Sequence, residues 1–370
     1  MQSVVLACTA LALALALACA CARAEQVTIV SAYYRIASKH SSDEYAHWMT
    51  AFFRIDAPIV FFCNDSSEAA RMHSLRPPEL PPLRVIVLPL EQLDTHLLFT
   101  EDVWRRQFYA DPERAHHRSP LLYQIWLQKA RFVTRAAEAL HARNDTLFLW
   151  ADAGFARLPH AAQEIGRGWP SPARLVEERA GADRLTLFVA SRADFDARMH
   201  ELCGVEPETY ANEMMQTRNV AGSFAGGSVR AWRAWQRAFY DDVVCRVVRA
   251  RTGAFVGKDQ DMMALAVSLR PDLVRLVDGL TNGRGRWFLR LVDYFSAHPQ
   301  LGGDDAYAEV VVAKRACARR AAPASSSAQH PLDVRRIFWR ATPCAGETVL
   351  CGCASADAHN ATAAATSAAP

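Results

Sequence analysis

Apolar positions along this chain fall into short unbroken runs and helically spaced stripes, and the two kinds alternate. Val27 to Tyr34 (VTIVSAYY) predicts a first strand that runs into polar and aromatic residues. From Ser42 to Ile55 the spacing becomes helical, with Tyr45, Trp48, Met49, Phe52 and Phe53 on one apolar face. Pro58 to Phe62 predicts a second strand, and Leu83 to Leu88 a third after the proline-rich loop 77–82. Ser119-Pro120 opens a long helix through Trp126, Lys129 and Phe132 to about Leu140. Thr146 to Trp150 predicts a buried strand, followed by a helix and another strand from Leu185 to Ala190. Beyond the small residues of 219–227 come a helix with Trp232, Trp235, Phe239 and Tyr240, and a further helix headed by Asp259.

Strands alternating with helices predict an α/β fold with a single mixed, mostly parallel sheet flanked by helices. In such sheets ligands bind in the crevice beyond the carboxyl ends of the strands. Asp152 is the first charge past the Thr146 to Trp150 strand, Gly154 allows a sharp turn, and Arg157 adds a fixed cation nearby. The plain alternative is a strand-to-loop junction whose aspartate caps the next segment.

Composition narrows the setting. The net charge of +3, with 42 basic against 39 acidic side chains, gives no nucleic-acid or membrane-surface signature. Val4 to Ala22 is continuously small or apolar, and Ala22-Arg23-Ala24 fits a cleavage site, so residues 1–24 read as a signal peptide or a signal anchor. Either reading puts the folded part in the lumen of the secretory pathway or outside the cell, with membrane anchoring through residues 4–22 in the second. There the triplets at Asn64, Asn144 and Asn360 become glycosylation acceptors. Cys63, Cys203, Cys245, Cys317, Cys344, Cys351 and Cys353 can form disulfides there, but their odd number fixes no pairing. The globular unit spans about residues 26–312. Residues 313–370 are an Ala- and Ser-rich linker and a cysteine-containing tail.

Four further features carry alternatives. The small residues Val220 to Gly227 suit a tight turn or a close backbone approach. Asp259, heading its helix, reads equally as an N-cap or as a functional acid. Lys129, on an otherwise apolar helix, reads as a snorkelling surface residue or a ligand contact. Tyr33 and Tyr34 are core residues or base-stacking rings at a strand end.

Four segments in order, Thr28 to Tyr34 (TIVSAYY), Trp126 to Phe132 (WLQKARF), Leu149 to Arg157 (LWADAGFAR) and Val220 to Gln260 (VAGSFAGG through GKDQ), resemble the HtrL/YibB family. The resemblance covers about residues 27–300. It implies the GT-A nucleotide-diphosphosugar fold and a glycosyltransferase that moves a sugar from a nucleotide sugar donor to a carbohydrate or glycoprotein acceptor. It places Ser31, Ala32, Tyr33 and Tyr34 at the nucleotide, with Lys129, Arg157, Gly226 and Gly227 beside nucleotide or sugar. Asp259, Gln260 and Asp261 take the catalytic positions. Asp152 stands where GT-A enzymes hold Mn²⁺ or Mg²⁺ with an Asp-x-Asp pair, but here the motif is Asp-Ala-Gly, with one carboxylate. The glycine-rich segment before Asp259-Gln260 is also similar to glycogenin-type glycosyltransferases, whose later metal-binding histidine corresponds to His298. Two rivals stand beside this reading: a non-catalytic carbohydrate-binding protein on the same fold, and a glycoside hydrolase using Asp152 and Asp259.

Overall fold

The computed structural model describes residues 27–157, 159–171, 173–175, 183–210, 220–250, 253–279, 292–296 and 307–310. The targeting segment, His298, the acceptor Asn360, the four cysteines beyond residue 316 and the linker and tail lie outside the described residues.

Strands β1 (Thr28–Ala32), β2 (Ile59–Cys63), β3 (Leu83–Val87), β4 (Leu147–Ala151) and β5 (Leu185–Val189) form where the apolar runs predict them. Two more pieces complete the centre: β6 (Val220–Ser228) and β7 (Val274–Gly279), with β8 (Tyr307–Val310) at the edge. All eight join one sheet in the order β3-β2-β1-β4-β6-β5-β7-β8. β1 pairs in parallel with β2 on one side and β4 on the other, while β6 runs antiparallel between β4 and β5. The architecture is thus α/β, a mixed and mostly parallel sheet with a hydrophobic core on each face.

The connections decide where the ligand crevice lies. From β1 the chain moves outward through β2 to β3, then returns to place β4 on the opposite flank of β1. The crossovers therefore diverge between β1 and β4, which leaves an opening at their carboxyl ends.

Of the two sequence readings of residues 219–227, β6 bears out the close backbone approach and not the tight turn. Its nine residues are all buried. A strand packed on both faces beneath large neighbours needs small side chains. A Cβ on Gly226 would come within 2.4 Å of Leu149 Cδ2, and one on Gly227 within 3.2 Å of Leu185 Cδ1. These glycines make room for leucines of the adjoining strands. Gly226→Ala is accordingly expected to cost about 1–3 kcal/mol through overpacking. The readout is a lower midpoint in urea, and an unchanged midpoint would mean that Leu149 swings aside freely.

The long helix of the sequence reading divides into Leu121–Leu127 and Lys129–Ala139. Gln128 sits at the junction, fully buried, and its side chain is claimed by a neighbouring segment. It donates to Asp94 Oδ2 at 2.8 Å and accepts from the Thr95 amide at 2.9 Å. Arg135, two turns later, grips both oxygens of Asp94 at 2.7 and 2.9 Å. This anchorage fixes the start of the second helix, and with it Lys129.

Cys203 and Cys245 are both disulfide-bonded, whereas Cys63 is a buried free thiol, pushed up to about 11 by burial. Among the described residues no helix is long and apolar enough to cross a membrane.

Candidate active site

Beyond the ends of β1 and β4 lies a cleft of about 310 Å³. Its floor is built by the first residues past each strand: Tyr33 and Tyr34 after β1, and Asp152 after β4. Asp152 is held from two sides. Its amide donates to the Ser223 carbonyl of β6 at 2.9 Å, and Trp150 Nε1 donates to its Oδ1 at 2.8 Å. The Trp150 ring in turn stacks on Phe132 at 5.7 Å. The Asp152 side chain is 34% exposed, so it is open to a ligand in the cleft.

One wall is aromatic. The helix Ser42–Phe52 buries Met49 and Phe52 in the core but leaves Tyr45 and Trp48 half-buried at the cleft. Tyr45 meets Tyr33 at 5.0 Å and Trp48 at 5.1 Å, and His40 closes on Trp48 at 4.9 Å. Gly154 lies beneath this wall, where a Cβ would meet Trp48 at 3.2 Å and Tyr45 at 3.3 Å. Burial, and then the Asp152 carboxylate, push the Tyr45 hydroxyl up to about 12. The sequence reading placed Tyr45 and Trp48 on one apolar face with Met49, Phe52 and Phe53, and that one stripe serves both core and cleft.

Lys129 is the centre of the charge arrangement. Its ammonium donates to Asp259 Oδ2 and to the Gly222 carbonyl, each at 2.7 Å, and lies 3.2 Å from Asp152 Oδ1. An ammonium has three donors, and here all three are engaged. Burial alone would lower its pKa, but Asp152 and Asp259 outweigh that and hold it above the ordinary lysine value. Lys129 is therefore not a snorkelling surface residue, and it lines the cleft. It ties the ends of three distant segments together.

Asp259 does not cap its helix. Lys258 occupies the N-cap position, and Asp259 turns its carboxylate toward Lys129 over Gly222. A Cβ at Gly222 would lie 2.6 Å from Asp259 Oδ2, so only glycine admits this approach. The segment leading into Asp259 is pinned from the other side. Gln107 donates to the Ala254 carbonyl at 3.0 Å and accepts from the Val256 amide at 2.6 Å, and Lys258 pairs with Glu113 at 2.9 Å.

The cleft brings together Ala32, Tyr33, Tyr34, Lys129, Asp152 and Arg157. Tyr34 donates its hydroxyl to the Leu88 carbonyl at 2.9 Å, so it is chiefly a wall anchored in the core. Asp259 joins the cluster from behind Lys129. Ser31, Gly226, Gly227, Gln260 and Asp261 do not line the cleft. Ser31 and Asp261 are fully buried, and Gln260 donates to the Val220 carbonyl at 2.8 Å. Arg157 is partly buried near Asp152 and Tyr45; burial lowers its pKa against the pull of both.

Among the described residues, a chelated Mn²⁺ or Mg²⁺ ion between Asp152 and Asp259 would compete with contacts these carboxylates already make within the protein. Such ions want several hard, unencumbered oxygens. Asp152 Oδ1 already accepts from Trp150, Asp259 Oδ1 accepts from the Gln260 amide, and Asp259 Oδ2 accepts from Lys129. An ion between the two carboxylates would stand where the ammonium does. His298, the second metal ligand expected from the sequence, lies outside the described residues.

Two buried carboxylates brace the cleft from outside. Asp94 holds Gln128 and Arg135, and Asp111 accepts from His117 and Tyr123, each at 2.6 Å. Burial raises both acids, but their hydrogen bonds and ionic partners win and hold them below the ordinary carboxylate value. A folded value below the unfolded one stabilises above about pH 4, and this contribution is lost as the pH falls through the folded value. The melting temperature should stay level from about pH 7 to 5 and fall below about pH 4. A melting temperature that stays level down to about pH 3 would remove these braces from the account.

No known protein family matches the chain, and no curated protein matches it. Among solved structures it is similar to core-mannan synthase A (CmsA/Ktr4) from Aspergillus fumigatus, in its Mn/GDP form. That similarity amounts to 10% identity over 68% of this chain and 72% of the other, with a TM-score of 0.38.

Proposed function

We propose that this chain is a GT-A-type glycosyltransferase that moves a sugar from a nucleoside diphosphate donor to an acceptor hydroxyl in the secretory pathway lumen. The observation that carries the reading is the composition of the crevice between β1 and β4. An aromatic wall (Tyr33, Tyr45, Trp48) lines the same cleft as a carboxylate and a guanidinium, Asp152 and Arg157, at the topological switch point. Rings of that kind stack on a base or sugar, and a fixed cation suits a diphosphate.

A second line of support is convergence. The four segments that resemble the HtrL/YibB family lie far apart in sequence. Yet the end of β4, the start of the Lys129–Ala139 helix, β6 and Asp259 meet around Lys129, and the end of β1 lines the cleft beside them. The disulfide-bonded Cys203 and Cys245 suit an oxidising compartment. So does Asn144, an exposed acceptor on the turn before β4.

In sugar transfer, positive charge grows at the anomeric carbon and negative charge on the departing diphosphate. Arg157 is placed to stabilise the second, and Asp152 to hold the sugar or receive the acceptor proton. A glycosidase would need its two carboxylates on opposite sides of an open gap that admits the scissile bond. The Lys129 ammonium fills the space between Asp152 and Asp259, and this disfavours the hydrolase alternative.

Calorimetry of the full chain with UDP, GDP and their sugars tests the reading. Binding of one nucleotide, together with slow turnover of its sugar, is expected; the absence of heat with all of them sinks the proposal. Binding without any turnover would favour the non-catalytic alternative. Trp48→Ala should weaken nucleotide or sugar-nucleotide binding about tenfold, in keeping with about 1–3 kcal/mol for a base stacked on an aromatic ring. Equal affinity in this variant would remove the aromatic wall from the recognition.

A further inference from the structure

We infer that Lys129 occupies the position a divalent cation would take between Asp152 and Asp259, so that diphosphate binding in this cleft does not draw on Mn²⁺ or Mg²⁺. The inference rests on the nucleotide-sugar reading and names the cations that serve it.

Charge and geometry agree. Two carboxylates converge on one point, as they do around a metal ion, but the point is held by an ammonium with both acids and the Gly222 carbonyl around it. One lysine leaves this pair of acids with one net negative charge. Arg157, the next cation along the same cleft, offsets it. Lys129 and Arg157 together thus carry the charge that a divalent ion would bring. They divide the labour. The three donors of Lys129 are spent on protein oxygens, so it is a positioning residue that fixes both acids. Arg157, the further cation lining the same cleft, is the residue assigned to phosphate.

Replacing Lys129 with an uncharged side chain leaves two carboxylates and a carbonyl converging on a vacated cation position, and such a set attracts hard divalent ions. Removing the lysine should create a metal site.

The test is a Mn²⁺ titration of the full chain and of Lys129→Met, followed by the paramagnetic resonance signal of the free ion. The parent should leave Mn²⁺ free, while Lys129→Met takes it up at least about tenfold more tightly, because ligand charge sets the affinity of such sites. Equal uptake by the two proteins overturns the inference. If Lys129→Met does not fold, the parent and Asp152→Asn decide the matter. Mn²⁺ uptake by the parent that depends on Asp152 overturns the inference, and none supports it. Calorimetry with UDP or GDP in EDTA and then in Mn²⁺ adds an independent arm. Equal affinity supports the inference, and binding only with Mn²⁺ overturns it. A parent that binds no nucleotide under either condition defeats the nucleotide-sugar reading, while the Mn²⁺ titration still decides the role of Lys129.

Discussion

Lys129→Ala should destabilise the protein more than any other single change in the cleft, by about 3 kcal/mol or more. Breaking a buried ion pair from one side strands the remaining charge, which typically costs about 3–5 kcal/mol. Here the Lys129 and Asp259 side chains are 13% and 8% exposed, so that range applies to their pairing. Asp152, a third exposed, is partly relieved by water and adds little. Because the lysine value is raised in the folded state, its contribution is present at neutral pH and up to the unfolded lysine value. It is lost only as the pH climbs through the folded value, so the parent should show this loss only in strong alkali. Urea unfolding provides the measurement. The double variant Lys129→Met with Asp259→Asn should recover much of the loss, since both partners of the buried pair are then uncharged. A single variant that loses less than about 1 kcal/mol would mean that the ammonium is solvated and holds nothing together.

How much of this was legible in the sequence depends on whether the cause of each feature is local. β1 to β5 were legible because an apolar run bounded by turn residues is its own signal. Asp152 was legible for the same reason, as an abrupt charge at the end of such a run. β6 was not. Its Gly, Ala and Ser residues have no strand propensity, and they form a strand because Leu149 and Leu185 on adjoining strands need the space. The break at Gln128 answers to Asp94 and Thr95, more than thirty residues earlier, and not to any helix-breaking residue. Lys129 is the sharpest case. A lone lysine on an apolar helix looks like a snorkelling side chain, and its partner Asp259 lies 130 residues away. Tyr45 and Trp48 show a different limit. Periodicity gave their face correctly, but hydrophobicity alone cannot separate a ring that packs in the core from one that lines a cleft.

Asp152→Asn should lose about 100-fold in turnover while melting within a few degrees of the parent. An interaction with charge that develops only in the transition state is typically worth about 3 kcal/mol, which is that factor in rate. Asparagine is nearly isosteric, and its carbonyl oxygen can still accept the Trp150 Nε1 hydrogen bond that orients the side chain. Lys129 keeps Asp259 and the Gly222 carbonyl as partners, so little is stranded in the core. Asp259→Asn should behave differently. It removes the better-buried partner of Lys129, so stability and turnover should fall together. The two variants therefore separate a carboxylate that acts on the ligand from one that acts through the lysine. Donor-sugar turnover and thermal melting, measured side by side, give both readouts. If Asp152→Asn kept full turnover and only melted earlier, Asp152 would be a strand-end cap, and the chemistry would have to be sought elsewhere in the cleft.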